Sequence, residues 1–127
     1  MANNTTRTND LKELVQTKLK TITTNVYFEQ AADSAMYPHI VFNFNEINLN
    51  DLSRQDYTLD VDIWTKGKNS TAIDELADKT EDLLHCQNLP QTSILPTFYK
   101  IDRKAIQDPD KSIRHRLVRF QIQNYVK

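Results

Sequence analysis

Apolar residues along this chain keep two different periods, and each change of period marks a new element. From Asp10 to Ile22, the residues Leu11, Leu14, Val15, Leu19 and Ile22 recur at steps of three and four, the stripe of one helix face. Asp10 and Glu13 are placed to offset the exposed amides of its first turn, and the β-branched run Thr21-Ile22-Thr23-Thr24 ends it. Residues 1–9 show no period and read as a flexible polar arm ahead of one domain spanning 10–127.

The period then drops to two. Val26 and Phe28 alternate with polar neighbours over 25–30, which predicts a short strand, and a loop follows as far as the Tyr37-Pro38 turn. In the next strand Ile40, Phe42 and Phe44 share one face, opposite Val41, Asn43 and Asn45. The third strand sets Tyr57, Leu59, Val61 and Ile63 against Thr58, Asp60, Asp62 and Trp64. One greasy and one polar face on consecutive strands predicts a sheet covered on one side only. The intervening stretch 48–56 is rich in Asn, Asp and Ser, and it reads as a projecting functional loop or a strand extension.

Helical spacing returns in Ile73, Leu76, Ala77, Thr80, Leu83 and Leu84, with Ser70 or Thr71 as cap and Asp74 and Glu75 at the positive end. Gly67, the only glycine, falls where the chain turns from strand to helix. A proline-bounded connection over 87–96 leads to two more strands, 97–106 and 112–126, joined around Asp108-Pro109-Asp110. The expected fold is therefore α+β in the order α-β-β-β-α-β-β: one mainly antiparallel or mixed sheet of four to five strands, with two helices on one face.

Composition narrows the function classes. Sixteen basic against 17 acidic residues argue against a dedicated nucleic-acid binder, and the lone Cys86 supplies neither a disulfide framework nor a thiolate metal site. The chain begins without the apolar core of a signal peptide and holds no membrane-spanning run, so a reducing, cytoplasmic setting is expected. Gly67-Lys68-Asn69-Ser70 lacks the second glycine and the Ser or Thr after lysine that a phosphate-binding loop requires. Glu46, Asp60 and Asp62 are the carboxylates that a metal-dependent hydrolase would use; a solvated or subunit-facing strand surface is the simpler reading. His39, His85 and His115 lack metal-ligand spacing and are expected at the surface or an interface, and Trp64 is a contact anchor or a core-edge residue. No nucleophile with an orienting partner stands out, so neither enzymatic activity nor a cofactor is expected.

Charge is unevenly spread. Residues 1–99 carry eight basic and 14 acidic side chains, a net of −6, whereas residues 100–127 carry eight and three, a net of +5. Opposite charges on separate patches favour a head-to-tail joint between copies, which closes into a ring where the rotation permits.

The stretch from Tyr37 to His85 resembles the central part of the phage tail-terminator, or tail-completion, proteins of long-tailed phages. The resemblance rests on YPHIVFNF, then LDVDIW, then the helix AIDELADKTEDLL, about 50 residues in all. It implies a small protein of the virion, assembled in the host cytoplasm, that forms a ring, typically a hexamer, at the head-proximal end of the tail tube. Such a ring stops tube polymerisation and meets the head connector, with no nucleic-acid or membrane contact required. On that reading Leu49, Asp51 and Arg54 are candidates for tube or connector contacts. Asp60, Asp62, Arg103, Asp108, Asp110, Arg114 and Arg116 are candidates for the subunit joint. A head-closure protein of the same particle, a small metal-dependent hydrolase and a nucleic-acid-binding module are the alternatives.

Overall fold

The computed structural model describes residues 6–51, 54–67, 69–91 and 93–126. Its elements follow the expected order: α1 (Thr6–Leu19), β1 (Val26–Phe28), β2 (His39–Asp51), β3 (Arg54–Lys66), α2 (Thr71–Leu84), β4 (Ile94–Gln107) and β5 (Ile113–Val126). The five strands form one sheet in the order β1-β2-β3-β5-β4. All pairings are antiparallel except β1 with β2, which makes the sheet mixed. The parallel pair needs a long return, and residues 29–38 supply it by letting the chain restart in the same direction.

Both helices lie on the same face. Leu11, Val15 and Leu19 of α1 and Ile73, Ala77 and Leu84 of α2 share one buried cluster with Ile40, Phe42, Leu59, Val61, Ile63, Phe98, Val118, Phe120 and Ile122 of the sheet. Tyr57 joins this core, and its hydroxyl reaches α1: it meets Thr8 Oγ1 at 2.9 Å and donates to Gln55 Oε1 at 3.2 Å. Thr80, fully buried on α2, satisfies its hydroxyl by donating to the Leu76 carbonyl at 2.8 Å.

Several expectations shift. Helix α1 begins at Thr6, so residues 6–9 are helical rather than part of an arm, and residues 1–5 lie outside the described residues. Asp10 consequently sits beyond the first turn, where its carboxylate accepts a hydrogen bond from Ser93. Of the two readings of 48–56, the strand extension holds: β2 and β3 stay paired out to Asp51 and Arg54, so the polar residues extend a hairpin. At the start of α2, Ser70 makes no side-chain cap; Asn69 Oδ1 accepts the Thr71 amide instead, at 3.2 Å. Gly67 does stand between β3 and α2, and its amide donates to the Ser112 carbonyl at 2.8 Å, tying that corner to the β4–β5 turn.

Candidate interaction surfaces

The face of the sheet opposite the helices is built in cross-strand rows, because residues directly opposite one another on antiparallel strands project together. One row is His39, Trp64, His115 and Ile106, from β2, β3, β5 and β4 in turn. Its rings stack: His39 on Trp64 at 5.1 Å between centroids, and Trp64 on His115 at 4.2 Å. Tyr37 leans on His39 from outside at 5.0 Å. His39 is buried by this packing within the chain, and burial lowers its pKa below the ordinary 6.5. The Met36 backbone acts in the raising direction, while the neighbouring His115 adds to the lowering.

Beside this row the two carboxylates of β3 find cations on β5. His115 Nε2 donates to Asp62 Oδ1 at 2.7 Å, and Arg119 Nε donates to Asp60 Oδ1 at 3.1 Å. Desolvation raises the Asp60 pKa, and Arg119 only partly offsets it. Glu46 stands apart on β2, opposite Thr58, so the three carboxylates do not converge. Among the described residues no three His, Cys, Asp or Glu side chains are grouped to hold a metal ion.

The basic residues of the C-terminal strands divide between the two faces. On the helix side, Arg103 of β4 bonds Asp78 at 2.6 Å and also Glu81, Lys100 meets Glu81 at 2.9 Å, and Arg116 of β5 meets Asp74 at 3.0 Å. Desolvation opposes the charge of Arg103, yet its bonds to Asp78 and Glu81 outweigh that and raise its pKa. These cations clamp α2 to the sheet within one chain. Three of the eight basic residues at 100–127 are thus taken up by contacts with α2.

The two long hairpins point to opposite ends of the sheet. At one end Arg54 bonds Asp56 at 2.8 Å and lies 5.6 Å from the Tyr125 ring centroid. Leu49 and Asp51 belong to β2 by their backbone, and their side chains lie outside the described residues. At the other end the β4–β5 turn is held by its own aspartates: Asp108 accepts the Asp110 amide at 2.9 Å, and Asp110 accepts the Ser112 amide at 2.9 Å and its hydroxyl at 2.7 Å. The Ser112 bonds lower the Asp110 pKa. Arg114, the second residue of β5, lies beside this turn, paired with Gln107 of β4.

The structure therefore brings Asp60 and Asp62 together on the bare face, sends Arg103 and Arg116 to the opposite face, and leaves Asp108 and Asp110 in a turn at one end. The sequence reading missed the His39–Trp64–His115 row, whose members come from three strands. It also missed Arg119 as the partner of Asp60; the alternation of β5 was the available signal.

The fold is shared with a chain from the "Virion of native gene transfer agent (GTA) particle", at a TM-score of 0.65 and 10% identity, over 87% of this chain and 91% of that one. No curated protein matches the chain by sequence. Residues 8–123, from the first turns of α1 to near the end of β5, match the family described as Tail completion protein gp17, and the chain belongs to that family.

Proposed function

We propose that this tail completion protein caps the head-proximal end of the tail tube, terminates its polymerisation and offers a docking surface to the head connector, working as a ring of several copies, six being the expected number. The observation that carries this reading is the placement of two well-formed hairpins at opposite ends of one sheet. Strands of 13 and 14 residues at about 3.4 Å per residue hold the two tips roughly 40 Å apart. A part that joins two assemblies needs two separate ends, and the sheet supplies them.

In this arrangement the β2–β3 tip, with Leu49, Asp51 and Arg54, meets the tube or connector. The β4–β5 turn, with Asp108, Asp110 and Arg114, serves the opposite end and the subunit joint. Asp60 and Asp62 lie on the bare face, where a neighbouring copy can approach. Arg103 and Arg116 support the joint indirectly by fixing α2. No cofactor or nucleic acid enters.

The test is polymerisation of the cognate tube protein with and without the purified chain, followed by electron microscopy. Tubes should stop growing and carry a ring of added density at one end. Unchanged tube lengths, together with no binding to tube ends, would overturn the reading.

A further inference from the structure

Each edge of the sheet is covered over only part of its length. At β2, strand β1 pairs with Ile40 to Phe42, and the Glu29 amide adds one bond to the Phe42 carbonyl. Beyond the bulge between Phe44 and Glu46, the outer side of β2 has no strand partner among the described residues. At β4, the segment after α2 bonds the outer side through Phe98, Pro96 and Ile94, and His85 Nδ1 accepts the Lys100 amide. Beyond the bulge between Lys100 and Asp102, that edge too has no strand partner among the described residues. Unpaired strand edges are templates for another strand, and these two end in stretches of equal length, 46–51 and 102–107.

The open stretches also match in character. Glu46 and Lys104 are both exposed, both lie on the bare face, and neither has an ion pair among the described residues. Ile47 on one edge and Ile101 and Ile106 on the other are exposed large apolar side chains. Alongside the open part of β2 runs a groove of ≈ 640 Å³ lined by Thr8, Lys12, Phe28, Asn43, Phe44 and Ile47. Lys12 Nζ lies 4.9 Å from the Phe28 ring centroid.

We infer that the open half of β4 in one copy adds to the open half of β2 in the next, as an antiparallel strand that sets Lys104 opposite Asn48, with Glu46 its diagonal neighbour on the bare face. This rests on the ring reading above. Strands β2 and β4 run in opposite directions within the sheet, so a rotation that carries one copy to the next sets them antiparallel. The two edges differ, so the contact is head-to-tail and self-repeating. The open half of β4 lies level with His39 and that of β2 lies at the Asp51 end. Joining them shifts neighbours along the strands by about six residues, roughly 20 Å. A ring built with that shift has strands inclined to its axis, as closed barrels do.

A charge swap tests the joint. Full-length wild-type chain, Glu46→Lys, Lys104→Glu and the double variant are compared by native mass spectrometry over a concentration series, alone and with tube protein, with circular dichroism to show that each is folded. Each single reversal should weaken association about tenfold, and the double variant should recover most of the loss. A carbodiimide should join Glu46 to Lys104 in the oligomer and not in the monomer, where three strand spacings, about 14 Å, separate the two strands. Oligomers indifferent to the reversals, or a double variant no better than the singles, would overturn the edge pairing and leave the ring reading standing. A wild-type chain that stays monomeric under every condition would overturn both.

Discussion

The indole of Trp64 stacks on the imidazole of His115 at 4.2 Å between centroids, with the planes 21° from parallel. The stack lies on the face without helices and links β3 to β5 through side chains as well as backbone. Removing it by Trp64→Ala should cost about 2 kcal/mol, less than a fully buried aromatic because the ring is half-buried. Urea unfolding followed by circular dichroism measures this; an unchanged midpoint would show that the row only decorates the sheet.

His39 gives the chain a pH response of known sign. Its folded pKa is lowered chiefly by burial, so the unfolded chain takes up the proton first as pH falls. The neutral ring therefore contributes stability above its ordinary pKa of 6.5, and that stability is lost as pH falls from there toward the lowered folded value. Between about pH 7.5 and about pH 5.5 the wild-type Tm should fall further than that of His39→Phe, which keeps the ring contacts without the titration. Parallel Tm curves for the two proteins would exclude His39 as the source.

Arg103 is the central tie between α2 and β4, reaching Asp78 and Glu81 together. Because the group is partly solvated and Lys100 still serves Glu81, Arg103→Ala should cost only about 1 kcal/mol. Hydrogen exchange should speed up first in the middle of α2, whereas a uniform acceleration across the sheet would contradict a local clamp.

Asn124 is fully buried at the far end of β5, and neither amide atom has a partner among the described residues. An unmatched buried amide costs free energy that a similar apolar side chain does not. Asn124→Leu should thus raise stability by about 1 kcal/mol, read as a higher Tm in calorimetry. A lower Tm would mean that the amide is matched in solution.

Much of the fold is legible in the chain because the strands alternate cleanly. Tyr57, Leu59, Val61 and Ile63 declare one face, and the α2 stripe ends on the buried Leu84. What escapes is whatever depends on register between distant segments. His39, Trp64 and His115 form a row only because β2, β3 and β5 pair in one alignment, and nothing local encodes that. Arg103 and Arg116 read as candidates for a subunit joint, and their contacts within the chain escaped for a similar reason: their partners on α2 lie 22 to 42 residues away. Composition left 48–56 open between a loop and a strand extension, and pairing with the neighbouring strand decides for the extension over the Asn and Asp preference for loops.

The opposed hairpins also determine how the molecule bears load. Pulling the β2–β3 tip away from the β4–β5 turn draws β3 and β5 in opposite directions along their common length, from the Arg54–Tyr125 pair to the Lys66–Ile113 pair. Their hydrogen bonds lie across that pull, so they resist it together rather than opening one after another. Along its long axis the subunit is a stiff strut, while a force peeling β4 sideways meets only one bond at a time.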